Sequence, residues 1–448
     1  MRRSVISKDG HGKSDKTFSS AWKWLVPGLG VKRWLVLLLL GITLLALGVA
    51  FLLVNFYREQ AVPPVFYYIT LQFIPRLARA ALVGAFGVGA VVLALVQLSR
   101  SLLAPFVRPG SEPVVETVYR HRQRERGAKV VAIGGGTGLS TLLRGLKEFT
   151  SNITAIVTVA DDGGSSGRLR RELGVLPPGD FRSCIAALAD SESLTTQLFQ
   201  YRFNAGQGLE GHSFGNLFIA AMAGVTGSFE SALAESSRVL AVRGRILPST
   251  LQNVTLMADL REEAPGQISR VAGESRITQS GGSIERVYLE PGDVRPYPEA
   301  IRAILDADLL VLGPGSLYTS IMPNLLVRDI AQAVRSSRAL KVCVCNVATQ
   351  HGETDHYSAA DHVTAIERHA GPGLVNVLLA NDWLGVDLRK VGMPPGVGEL
   401  VQPSGSQSSR LVAADLIDVE HPWRHDSRKL AQAVIDVYAQ ASGRTGAS

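Results

Sequence analysis

Residues 128–162 read as a single strand–helix–strand unit, which limits the possible folds more than any other part of the chain. "AKVVAI" (128–133) is a short apolar run of the kind that forms a strand buried on both faces. "GGGTG" (134–138) follows, and "LSTLLRGLKEF" (139–149) then sets Leu139, Leu142, Leu143 and Leu146 at helical spacing. "ITAIVTVADD" (153–162) is the next strand and ends on Asp161 and Asp162. Two strands joined through a helix lie parallel, and open parallel sheets bind ligands beyond the C-terminal ends of their strands. Gly134, Gly135, Gly136, Thr137 and Gly138 stand at such an end and open a helix. Free N–H groups and the helix dipole make that position an anion site.

The spacing argues against the two commonest nucleotide motifs. A dinucleotide fingerprint beginning at Gly134 needs Gly or Ala at 139, where Leu139 stands, and no Gly-Lys-Ser/Thr closes a P-loop. The acids run directly into "GGSSGR" (163–168), a second anion-friendly loop with Gly163, Gly164 and Ser165. A third follows the apolar run 307–312, with Gly313, Pro314, Gly315 and Ser316, then Tyr318 and Thr319 near the start of a helix or turn. "KVCVCNVATQHGET" (341–354) is a further strand, leaving Asn346, Thr349, Gln350 and Glu353 in its loop. A tight turn explains any one glycine loop. Four strand ends carrying glycine, hydroxyl and amide groups describe a nucleotide-type pocket.

The side chains around this pocket have competing readings. Asp161 and Asp162 beside phosphate would repel it, and Mg²⁺ held by the two acids and several waters relieves the repulsion. Arg168, Arg170 and Arg171 are candidate phosphate clamps, though an exposed helix face is the preferred reading of the last two. Asp180 in "PPGD" is expected to cap the helix that follows. His212 reads as a structural loop histidine before it reads as a base, and Asn216 either donates to phosphate or caps a helix. His351 and His356 are candidates for proton transfer by residue type alone. Short β-type runs between Pro-Gly and Gly-Gly turns over 254–291 predict an antiparallel subdomain with no evident chemistry. Cys343 and Cys345, one residue apart, share a strand face as small buried side chains. With Cys184 the only other cysteine, a four-ligand zinc site is not indicated.

The first third has a different texture. Residues 34–56 and 80–99 are uncharged runs of 23 and 20 residues, each long enough to span a bilayer. Gly84, Gly87 and Gly89 in the second suit close packing against a neighbouring helix. Lysine and arginine crowd the segments outside the pair, while the short loop between holds only Arg58, Arg76 and Arg79. The positive-inside rule places both ends in the cytoplasm. Residues 1–127 hold 17 Lys/Arg against 6 Asp/Glu, and the rest of the chain 29 against 33. The basic excess therefore belongs to the membrane segment, and nothing indicates a nucleic-acid partner for the large domain.

Several long motifs, among them "VVAIGGGTGLSTLLRGLK", "VADDGGSSGRLRRELGVLPPGDFRSC", "GHSFGNL", "VLGPGSLYTSIMPNLLV" and "VCNVATQHGETDHYSAADHV", closely resemble the YvcK, or gluconeogenesis-factor, family of the CofD-like superfamily. The resemblance runs from about Lys129 to Val434. It implies an α/β class: a Rossmann-like CofD-type core with a small antiparallel β subdomain, here preceded by a two-helix transmembrane hairpin. The expected organisation is a basic tail (1–33), the hairpin (34–99), a linker (100–127), the nucleotide-binding domain (128–440) and a short tail (441–448). In CofD-type transferases the acid matching Asp162 serves the acceptor, so Asp162 is the catalytic candidate if the chain is a transferase. Gluconeogenesis factors are implied to bind a nucleotide sugar, UDP-N-acetylglucosamine, and to support cell-wall synthesis and cell shape without a firmly attached reaction. The motif "WRHDSRKLAQAV" carries a nucleotide-sugar arginine onto Arg424, and a phosphorylation position, with a Ser/Thr kinase as partner, onto Ser427. Cell-wall synthesis proteins and a homo-oligomer are further implied partners. The segment 386–402 lacks the tyrosine the family places near there for the sugar.

Overall fold

The computed structural model describes residues 39–50, 68, 73–103, 123–189, 194–262, 268–385, 388 and 392–443. The chain divides into two units, Met1–Arg122 and Gln123–Ser448. In the first, residues 39–50 are helical and Arg76–Leu103 forms a 28-residue helix. Leu45, Phe86 and Leu93 on these helices are exposed. Among the described residues no helix is long and apolar enough to cross a membrane. The expected span 34–56 is described only over 39–50, and the expected span 80–99 lies in a helix whose side chains are described only in part. A Cβ built at Gly84, Gly87 or Gly89 meets no atom within 4 Å, so the close packing expected there is not seen among the described residues.

The second unit begins earlier than expected. Residues 123–127, assigned above to a linker, are tied to it through Arg124, which pairs with Glu148 at 2.6 Å and accepts from the Ser151 N–H. Its strands are β1 (Val130–Gly134), β2 (Ile153–Val157), β3 (Arg245–Pro248), β4 (Thr255–Arg261), β5 (Ile268–Ala272), β6 (Ser283–Glu290), β7 (Leu309–Leu312), β8 (Leu340–Val344), β9 (Ala348–Gln350), β10 (Val377–Asn381), β11 (Val397–Leu400) and β12 (Arg410–Ala414). Seven form one parallel sheet in the order β3-β2-β1-β7-β8-β10-β12. β1, β2, β7 and β10 are buried at every position, as apolar runs covered on both faces must be. The chain builds outward from β1 on one side and from β7 on the other. That makes the β1/β7 boundary the topological switch point, where open sheets leave a crevice.

Helix packing holds this frame. Helix Gly136–Leu146 lies against helices Gly179–Leu188 and Ser427–Ala441. At Gly145 the missing Cβ admits the Ser427 carbonyl and the Ala431 methyl, so Ser427 is drawn into the packing of the first helix. β5, β4 and β6 form the antiparallel sheet expected over 254–291, with helix Glu274–Gln279 between β5 and β6. The second strand of the opening unit ends at Val157, not at 162. Beyond it the Thr158 N–H still donates to the Gly134 carbonyl, and residues to Asp162 continue as a loop over the strand ends.

Candidate functional site

The loops after β1 and β7 touch at the switch point. A Cβ on Gly138 would stand 2.7 Å from the Pro314 carbonyl oxygen and 2.8 Å from the Gly315 backbone, so only glycine lets them meet. Gly136 has φ +64° and begins helix Gly136–Leu146 without a side-chain cap. Asp180 comes up against this turn: a Cβ on Gly135 would run into its Oδ2, and the Gly136 N–H acts to lower its pKa. Asp180 is not the cap expected from sequence: Pro178 is the N-cap, and Asp180 sits in the first turn of helix Gly179–Leu188. The anion position of the glycine loop therefore holds one of the protein's own carboxylates. Burial, and after it the charge of Asp161, push that carboxyl up to about 7.

Asp161 and Asp162 do different work. Asp161 accepts from the Gly163 N–H at 2.9 Å and from the Ser166 hydroxyl, bonds that work against the upward shift burial imposes. Glu274 also donates to it, because burial and then Asp161 and Asp180 raise Glu274 to about 9 and keep it protonated at neutral pH. Asp162 accepts from the Ser275 N–H at 2.9 Å and the Ser275 hydroxyl at 2.8 Å. It thereby satisfies the start of helix Glu274–Gln279. Among the described residues no group of three or more His, Cys, Asp or Glu is placed to hold a metal ion. Both Ser275 bonds fall on Asp162 Oδ1, so the carboxylate is held in place through one of its two oxygens.

In the second loop Ser165 is buried, with its Oγ 2.9 Å from His212 Nδ1 and accepting from Asn216 Nδ2 at 3.0 Å. Asn216 thus binds Ser165 rather than an open phosphate position, and its N–H is capped by Ser213. Burial, then Arg168, lowers the His212 pKa. In the third loop the Gly315 N–H donates to Asn346 (3.3 Å), Asn346 to Gln350 (3.2 Å) and Gln350 to Ser316 (2.9 Å), which ties the β7 and β8 loops together. Tyr318 and Thr319, expected at the ligand, turn inward. Buried Glu353 accepts from the Tyr318 N–H and the Thr319 hydroxyl, and the Tyr318 hydroxyl pairs with that of Tyr357 at 2.8 Å.

Two of the three candidate arginine clamps are committed elsewhere, and the third lies on the exposed helix face preferred for it. Arg168 donates to the Glu210 carbonyl and Arg170 to that of Val254, while Arg171 is exposed. Arg424 is exposed and makes no side-chain hydrogen bond or ion pair among the described residues. Its neighbour His425 is buried against the Cys345 carbonyl, just past the end of β8, and burial lowers it to about 4. His351 and His356 are exposed and face Asp355 and Glu399.

Residues 130–442 match the family model described as 2-phospho-L-lactate transferase CofD. The chain belongs to the CofD family. The gluconeogenesis factor of Bacillus subtilis is 48% identical over 314 residues, covering 69% of this chain and 98% of that protein. A curated relative in Clostridium acetobutylicum, also described as a gluconeogenesis factor, is 41% identical over 428 residues, covering 92% of this chain and 91% of that protein. A crystal structure of a UPF0052-family protein from Bacillus halodurans superposes with a TM-score of 0.64 at 45% identity, covering 69% of this chain and 99% of that one.

Sequence reasoning missed several residues of this CofD-family site. Glu274 and Ser275 come from the antiparallel region read as free of chemistry, and nothing local marks them. Arg182 is half-buried, and the charges of Asp180 and Asp161 act on it. Its position two residues after Asp180 in "GDFRS" was the available signal. Fully buried Asn324 donates to the Gly134 carbonyl at 3.1 Å and holds the end of β1 from below.

Two measurements test this arrangement. Asp162→Ala removes both Ser275 bonds, so the ligand-free protein should lose about 1–3 kcal/mol in denaturant unfolding, the cost of leaving such donors unpaired. Unchanged stability would show that Asp162 is free for a ligand. The second concerns pH. Asp180 and Glu274 titrate near 3.8 and 4.5 when unfolded and near 7 and 9 when folded, so between those values the folded state binds more protons. Their contribution is therefore lost as pH rises from about 4 to about 9. The melting temperature of the natural chain should fall relative to Asp180→Asn and Glu274→Gln across that window. Parallel curves would contradict it.

Proposed function

We propose that the CofD-family unit binds a nucleotide sugar of the UDP-N-acetylglucosamine type and acts as a regulator of cell-wall synthesis and carbon use, without turnover. The observation that carries this reading is the seat at Gly136. A helix N-terminus at the switch point is occupied by Asp180, an acid whose pKa lies near 7. A diphosphate arriving there replaces one anion with another, and Asp180 can withdraw in its neutral form. The Gly163–Ser165 and Gly313–Ser316 loops stand at the other strand ends, with the Gly163 and Gly315 N–H groups held by Asp161 and Asn346 until a ligand arrives, and exposed Arg424 is available to the nucleotide sugar. The gluconeogenesis-factor descriptions of the relatives are consistent with a regulatory role.

The CofD match favours a second reading, transfer of a phospholactyl-type group from a nucleotide-activated donor. It requires a free acid at Asp162, one oxygen of which accepts both Ser275 bonds, and a presented nucleophile. The hydroxyl–imidazole pair in the crevice, Ser165 with His212, is buried at 4% and 3% exposure. The two apolar stretches 34–56 and 80–99, with their basic flanks, are proposed to anchor the unit at the cell membrane on its cytoplasmic side. The exposed leucines and phenylalanine of the described helices support that reading.

Full-length protein in detergent should melt higher with UDP-N-acetylglucosamine. The ligand should be recovered intact after long incubation with and without Mg²⁺, and Arg424→Ala should weaken binding roughly tenfold, as loss of one charge-assisted contact does. Transfer of phospholactate to a deazaflavin acceptor would favour the enzyme instead. For the anchor, alkaline carbonate washing should leave the chain in the membrane pellet, and its release would exclude the hairpin.

A further inference from the structure

We propose that a cavity beneath the antiparallel sheet is a second ligand site, built for a small molecule bearing a diphosphate or two separate phosphates. It lies between β4–β6 and helices Arg328–Ser336 and Ala359–Ala370 and has a volume of about 820 Å³. That volume is typical of small-molecule pockets. None of the loops at the strand ends lines it. Its wall carries Arg270, Arg286, Arg328, Arg335 and Arg368 against two acids, Asp259 and Glu285. Both acids are already paired: Asp259 with Arg270 at 3.3 Å and Glu285 with Arg261, from outside the wall, at 3.1 Å.

The remaining arginines are arranged, not scattered. Arg335 donates to the carbonyls of Ala370 and Pro372 and joins the two helices. Arg286 lies 5.7 Å from the Tyr288 ring centre, which sets the direction of its guanidinium. Arg328 and Arg368 make no hydrogen bond or ion pair among the described residues. Arg328 also opens a nine-residue helix with no side-chain cap, the end at which a cation is disfavoured and an anion is held. Like charges gathered in one concavity repel unless an anion joins them, and planar guanidinium forks match phosphate oxygens in pairs. A nucleic acid is the poorer occupant, because the site is a concavity in a unit with a net acidic balance of 33 Asp/Glu to 29 Lys/Arg over 128–448. Two buried acceptors without partners, Glu285 Oε2 and His369 Nε2, belong to residues of the same wall. His369 Nδ1 is held by the Ala365 carbonyl, which leaves Nε2 as the acceptor.

The test is calorimetric titration of full-length protein in detergent with inorganic pyrophosphate and with ADP. The natural chain should bind both, more weakly as salt is raised. Arg328→Gln combined with Arg368→Gln should weaken both at least ~tenfold, the loss expected for charge-assisted contacts. Both side chains are exposed and unpartnered, so the melting temperature of the ligand-free variant should be unchanged. ADP binding more tightly than pyrophosphate would identify a nucleotide as the occupant, and equal affinities a simple diphosphate. UDP-N-acetylglucosamine bound at the strand ends should be retained by the double variant, because neither arginine lies there. Absence of pyrophosphate and ADP binding, or binding unchanged in the double variant, would each overturn the proposal. None of these outcomes depends on whether the nucleotide sugar binds at the strand ends.

Discussion

Two loops approach to backbone contact where the sheet reverses its direction of growth, and the rest of the site follows from that contact. Gly138 has no side chain because the Pro314 carbonyl and the Gly315 backbone occupy its place. With the loops that close, Asn324 can reach the Gly134 carbonyl from beneath, and Asn346 and Gln350 can bridge to Gly315 and Ser316 from the next strand. A larger residue at 138 would separate β1 from the β7 loop and uncouple these bonds together. The constraint is steric and backbone-based, so it is independent of which ligand the crevice takes.

The second organising feature is a set of acids held closer than their charges favour. Asp161, Asp180 and Glu274 share one region, and part of their mutual repulsion is removed by keeping protons on them. Asp161 is supported by the Gly163 N–H and two hydroxyl-type donors, Ser166 and Glu274. Asp180 takes the position at the Gly136 helix start that a phosphate would take. Strain of this kind is concentrated where a protein binds or reacts. It leaves the crevice with carboxyl groups whose pKa values are raised to about 7 and about 9. The arginine-lined cavity beneath β4–β6 has the opposite character, a surplus of fixed cations with few internal partners.

Much of this was legible in the chain. Apolar runs of buried-strand type, leucines at helical spacing and glycines at strand ends specify the parallel sheet and the three loops locally. The long motifs assign the family. Local pattern was misleading where a residue's partner lies far away in sequence. Tyr318 and Thr319 look like ligand groups beside a glycine loop, yet Glu353 and Tyr357 turn them inward. Asp162 looks like the twin of Asp161, yet Ser275, 113 residues away, claims it.

By itself, then, the sequence determined the α/β class, the family, the antiparallel insertion and the places where backbone N–H groups gather, because each depends on periodicity or on glycine within one short window. Only the tertiary structure decided which side chains face the crevice and which serve the fold. It brought Asp180 to the Gly136 turn, Glu274 to Asp161 and five arginines from four elements onto one cavity wall. Charge and hydrogen-bond partners act over a few ångströms in space, and no spacing along the chain encodes which distant segments packing will bring that close.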